Sequence, residues 1–144
     1  MKFPLVFVIG LSMLFFSFAS FRPETTSGSS GIKFSRLSLE KAMKQAKASG
    51  KLVFIDVHTS WCGPCKEMDQ TTFSDSQVGE EFNKRFINLK IDAETDKDGP
   101  VISKTYTVAG YPTLLFINGD GKLVKKLVGK QSKEKLLTAI SGMK

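Results

Sequence analysis

Residues 52–70 read LVFIDVHTSWCGPCKEMDQ, and the fold follows from how this stretch divides. Leu52 to Val57 is a β-rich run bounded by turn signals and apolar on both parities, as a central strand should be. Cys62 to about Gln70 then reads as a helix, with Pro64 in its first turn, where a missing N–H breaks no helical bond. Cys62 is therefore expected at the amino end of that helix. Unpaired backbone N–H groups and the helix dipole favour a negative charge there, so its thiol should be more acidic than a free cysteine. Cys65, one turn on, is close enough to bond to it.

These are the chain's only two cysteines. A disulfide-stapled secreted fold would spread several through the sequence. A bond across so short a loop restricts the unfolded chain little, so the pair reads as reactive rather than structural. His58, Cys62 and Cys65 offer three metal donors, but no second Cys/His pair completes a tetrahedral zinc site, and a lone C-x-x-C after a strand favours redox chemistry. No metal and no small-molecule cofactor are expected; the Cys62–Cys65 pair itself carries the electrons.

Working outward, helical and strand signals alternate. Ser38 caps a helix with Leu39, Ala42, Met43 and Ala46 on one face and Gly50 at its end. Ser74 and Gln77 form a capping-box pattern ahead of a stripe of Val78, Phe82 and Phe86. Ile87 to Ile91 is a strand and Val101 to Tyr106 a short helix. Thr113 to Ile117 and Lys122 to Val128 flank the hairpin loop Asn118-Gly119-Asp120-Gly121. Ser132 caps a last helix that turns Leu136, Leu137, Ile140 and Met143 inward. The order predicts a three-layer α/β/α domain on a central mixed β-sheet.

Residues 1–20 stand apart: Lys2, an apolar run from Leu5 to Ala19, and small residues Ser17 and Ala19 before a cut ahead of Ser20 lay out a secretory signal peptide. The rival reading is an uncleaved anchor, against which Pro4, Gly10 and a length short of ~20 apolar residues weigh. Either way the domain is expected outside the cytoplasm. Residues 21–31 are Pro/Ser/Thr/Gly-rich and read as a flexible linker, leaving 32–144 as the folded domain. The charge is 21 − 14 = +7 with scattered basic residues. No interleaving of aromatic and basic residues marks a nucleic-acid groove. Glu94, Asp96, Asp98 and Gly99 mimic part of a calcium loop, but Thr105 stands where the last ligand should be, so a solvated loop is expected.

FIDVHTSWCGPCKEMD, NLKIDAETD, TYTVAGYPTLLFINGDG and KKLVGKQSKEKLLTAI together resemble the thioredoxin family over residues ~34–141. TFSDSQVGEEF, at 72–82, is similar to the C-terminal periplasmic domain of the bacterial transmembrane thiol-reductant proteins and to exported thioredoxin-like proteins of Bacteroidetes-type bacteria. The resemblance implies a thioredoxin fold and thiol–disulfide exchange, with Cys62 as nucleophile and Cys65 as resolving thiol. It implies that Asp56, buried six residues before Cys62, takes the resolving cysteine's proton. Pro112 matches the family's cis-proline, which exposes the backbone of Tyr111 for strand-like pairing with substrate. Trp61, Gly63 and Pro64 match the docking surface, and Gly110 and Gly129 let substrate backbone approach.

Gly63-Pro64 is the dipeptide of reducing thioredoxins, whereas strong oxidants carry a histidine there that stabilises the thiolate. The expected partners are therefore disulfide-bearing exported proteins and a membrane-borne electron donor, with the chain working as a periplasmic monomer. Isomerase, oxidase and non-catalytic peptide-binding roles remain as alternatives on the same site. Two positions depart from the pattern. Asn88 stands where cytosolic thioredoxins place a lysine beside the buried acid, with Lys90 two residues on and on the same strand face. His58 replaces an aromatic, and its charge change would make reactivity pH-dependent if it lies near the cysteines.

Overall fold

A computed structural model describes residues 31–143, so the expectations for the leader and almost all of the linker fall outside the described residues. Among the described residues are five helices, α1 (Leu39–Ser49), α2 (Gly63–Gln70), α3 (Ser76–Arg85), α4 (Gly99–Thr105) and α5 (Lys133–Ile140), and four strands, β1 (Leu52–His58), β2 (Phe86–Asp92), β3 (Thr113–Ile117) and β4 (Leu123–Val128). None of these helices is long and apolar enough to cross a membrane. The sheet order is β2-β1-β3-β4, with β1 and β2 parallel and the other neighbours antiparallel. This is the mixed sheet expected, in a thioredoxin fold.

Strand parity divides the core in two. Val53, Ile55 and Val57 point to one face, where they meet Ala42 and Ala46 of α1, Ile102 of α4, and Leu115 and Ile117. Phe54 points to the other, among Met68 of α2, Val78 and Phe82 of α3, and Leu136 and Ile140 of α5. The caps explain the boundaries. Ser38 Oγ accepts from Lys41 N, and Gly50 closes α1 in the left-handed conformation at φ 67°. The capping box at Ser74 is corrected: the N-cap of α3 is Asp75, whose carboxylate accepts from Gln77 N and Val78 N. Ser74 Oγ instead donates back to the carbonyls of Gln70 and Thr71. Phe86 likewise opens β2 rather than continuing α3.

Gly31, assigned to the linker from sequence, is buried, and a Cβ on it would lie 2.4 Å from the Phe73 carbonyl oxygen. From there the chain runs along β2, with Ser35 bridged to Leu89.

The topology gathers four loops at one end of the sheet. β1 ends at His58 beside Asp92 of β2, Thr113 at the start of β3 lies opposite Val57, and Val128 at the end of β4 lies opposite Thr113. The segments 59–62, 93–98, 106–112 and 129–132 therefore emerge together.

Candidate active site

Cys62 is the N-cap of α2, extended at φ −73° and ψ 104°, and its Sγ accepts from Cys65 N at 3.2 Å. The first turn of α2 carries no acidic residue, so nothing there opposes the positive end of the helix. Cys62 and Cys65 form a disulfide with their Cα atoms 5.3 Å apart. A thiolate on Cys62 would sit where the Cys65 N–H already points, so opening the bond leaves the attacking form pre-solvated by the helix. Both cysteines are buried while Gly63 and Pro64 are exposed, which leaves the turn between the sulfurs as the outer surface of the site.

Asp56 is fully buried on the face of β1 that α2 covers. Its partner across the parallel pair is Lys90, whose Nζ lies 2.9 Å from Asp56 Oδ2. Lys90 therefore fills the place left by Asn88. The same ammonium binds Asp69 of α2, tying the active-site helix to the sheet, and lies over the rings of Phe34 and Phe73 at 5.5 and 5.6 Å. Burial pushes the Asp56 carboxyl above its ordinary value, with Lys90 pulling the other way. Burial disfavours the charge on Lys90, but Asp56 and Asp69 outweigh it and raise its pKa. Asp56 Oδ1 has no hydrogen-bond partner, so this buried oxygen is free to take a proton.

The rim is aromatic. Trp61 is 65% exposed and meets the Tyr111 ring edge-on, centroids 5.9 Å apart. The Tyr111–Pro112 bond is cis. Pro112 is buried, and its carbonyl accepts from Gly129 N at 2.8 Å. Gly129 has φ 84°, a conformation that suits glycine. The Gly110 carbonyl accepts from Thr113 Oγ1. His58 ends β1, half-buried, with its carbonyl accepting from Ala93 N.

Two further residues join the site only through the fold. Asp69 lies on an exposed helical face, and only the fold brings Lys90 of β2 to it. Glu94 was weighed as a calcium ligand, yet both its carboxylate oxygens accept from Trp61 Nε1, at 3.2 and 3.1 Å. The other acids of this loop serve backbone N–H groups. Asp92 accepts from Glu94 and Thr95, Asp96 from Asp92, and Asp98 from Leu39 at the start of α1.

Residues 39–144 match the family model of the thioredoxin-like domain. The chain belongs to the thioredoxin-like family. With its Cys62–Cys65 disulfide it is a thioredoxin-like thiol–disulfide oxidoreductase related to the DsbD proteins. It is 31% identical over 100 residues to the thiol:disulfide interchange protein DsbD of Tatumella citrea, a match covering 67% of this chain and 17% of that protein. It spans only 15–17% of the first curated relatives. Among solved structures it is similar to a candidate disulphide isomerase of Bacteroides thetaiotaomicron, at 44% identity and TM-score 0.69, covering 81% of this chain and 96% of that one. The C-terminal domain of Neisseria meningitidis DsbD, at 24% identity and TM-score 0.62, shares the fold over 78% of this chain and 99% of its own.

Proposed function

We propose that this thioredoxin-like protein is an exported disulfide reductase. The observation that carries the reading is Cys62 Sγ seated as the N-cap of α2, where a thiolate is held by the Cys65 N–H and the helix dipole. The Cys62 thiolate attacks one sulfur of a substrate disulfide, forming a mixed disulfide and releasing the other sulfur as a thiolate. Cys65 then passes its proton to Asp56 and attacks Cys62 Sγ. The second substrate thiol leaves, and Cys62–Cys65 is oxidised. Two electrons have moved from the dithiol to the substrate, and a membrane-borne dithiol donor restores the pair.

Trp61, Gly63 and Pro64 form one side of the docking surface, and the Tyr111 backbone beside Pro112 the other. The reducing direction is supported by Gly63-Pro64, which places no cationic side chain between the sulfurs to stabilise the thiolate further and so turn the pair into an oxidant. The leader-like sequence at 1–20 supports export, and the thiol:disulfide interchange in the name of the DsbD relatives supports disulfide-bearing proteins as substrates. The sulfurs carry the electrons without a bound cofactor, and a single chain supplies both cysteines and Asp56 for the reduction of substrate.

Trapping in cells with Cys65→Ser tests the proposal: exported proteins should accumulate as mixed disulfides on Cys62, and their absence would overturn it. The candidate isomerase among the structural neighbours favours a second reading on the same dithiol. Equilibration with glutathione separates the two. A reductase should sit nearer the ~−270 mV of a thioredoxin than the ~−180 mV of an isomerase.

A further inference from the structure

We infer that Glu94 selects substrates whose disulfide cysteine is flanked by a cationic residue on the Trp61 side; this rests on the reductase reading above. The four acids from the end of β2 through the loop after it divide sharply. Asp92, Asp96 and Asp98 are spent on backbone N–H groups, so their charges shape the loop and the start of α1. Glu94 is exposed and turned the other way, onto the indole N–H of the residue preceding Cys62. One indole N–H fixes the position of that carboxylate without neutralising it. No ion pair among the described residues includes Glu94, so its charge faces the docking rim unanswered.

The opposite side of the rim differs. There Lys130, next to Gly129, is paired with Glu67 of α2 at 2.7 Å across the mouth of a cleft of about 310 Å³, so its charge is already met. A substrate segment lying on Tyr111 and Pro112 therefore passes a bare negative charge at one end and a closed pair at the other. The preference is for a cation at one flank only. It also opposes the protein as a whole, whose +7 charge draws acidic partners. At physiological salt the screening length is ~8 Å, so contact with Glu94 decides the flank while the distant surplus is damped.

The test uses disulfide-linked peptides differing only beside the cysteine, with Lys, Gln or Glu placed in turn before and after it, at ~0.15 M salt. With the flank on the Trp61 side, kcat/KM should be about fivefold higher for Lys than for Glu, the size expected of one exposed charge contact turned from attraction to repulsion. On the other side the ratio should be near one. Glu94→Gln keeps an acceptor for Trp61 and removes the charge, so the ratio should collapse to about one while Trp61 fluorescence holds. A ratio of one in the wild type, a preference for Glu, or a preference that survives Glu94→Gln each overturns the inference. The Gln peptide separates the two proposals: if the wild type does not reduce it, the reductase reading itself has failed.

Discussion

The two faces of the sheet are built from alternate residues of the same strands, yet they are different materials. The face under α1 and α4 is mainly aliphatic: Val53, Ile55, Val57, Leu89, Leu115 and Ile117 pack against alanines and Ile102, with Tyr106 the lone ring among its described buried residues. The face under α2, α3 and α5 is aromatic, with Phe54 in ring contact with Phe34, Phe73, Phe82 and Phe116. On the aromatic face, tied to α2 through Asp69, sits the buried Asp56–Lys90 pair. An ion pair taken out of water costs several kcal/mol unless its geometry is satisfied. Here Lys90 spreads its charge over two carboxylates and two rings, while Asp56 keeps one oxygen unsatisfied. One face is scaffold alone. The other also holds a buried charged pair with an unsatisfied carboxylate oxygen, at a cost in stability.

The largest expected effect tests the packing half of this contrast. Phe54→Ala should destabilise the domain by about 4 kcal/mol, because the cavity opens among rings that cannot close around it. Ile55→Val, one residue away on the aliphatic face, should cost only about 1 kcal/mol. Urea midpoints with slopes checked for constancy measure both. Equal losses, from the removal of a whole ring on one face and a single methylene on the other, would mean that the aliphatic face is the less tolerant of the two.

Next in size is Lys90→Met, which tests the charged half. A group whose folded pKa lies above its unfolded value binds its proton more tightly when folded. Its contribution is therefore complete below the unfolded pKa and is lost as pH rises through the folded one. Asp56 is such a group, raised from 3.8 chiefly by burial. Removing Lys90 takes away the cation that holds the value down, so ionising Asp56 becomes harder still. The variant should match wild type most closely near pH 4 and lose about 2 kcal/mol relative to it by pH 9. Adding Asp56→Asn to Lys90→Met should remove most of that slope, since no carboxylate remains to be stranded. A loss that is the same at every pH would show that Lys90 acts by packing alone.

Much of this contrast was legible in the sequence because it rests on parity and on caps. Ser38 and Gly50 bound α1 where the spacing placed them, and Asp56 reads as buried from its apolar neighbours. What escaped depended on register and on local competition for hydrogen bonds. Lys90 shares a face with Asn88 by counting, but that it lies opposite Asp56 follows only from the β1–β2 pairing. Ser74 fits a capping box, yet its hydroxyl is drawn back to the carbonyls at the end of α2, and Asp75 takes the cap. Glu94 looked like one acid among four because a sequence shows which residues carry carboxylates and not which have backbone N–H groups to serve.

The smallest effect lies at the join between the aliphatic face and the rim. Thr107 follows α4, leads into the cis-proline segment, and has φ 51°, the one non-glycine in that region among the described residues. The left-handed conformation costs a residue bearing a Cβ about 1–2 kcal/mol. Glycine would avoid that strain but would lose about 0.5–1 kcal/mol more conformational entropy on folding. The difference leaves Thr107→Gly more stable by about 0.5 kcal/mol, a rise of roughly 2 °C in Tm. Because Lys126 Nζ is held by the carbonyls of Tyr106 and Thr107 rather than by the threonine side chain, that clasp between β4 and the end of α4 should survive the change. A fall in Tm would mean that the threonine methyl or hydroxyl contributes more to the join than its strained backbone costs, and the boundary between scaffold and site would then have to be drawn through Thr107 itself.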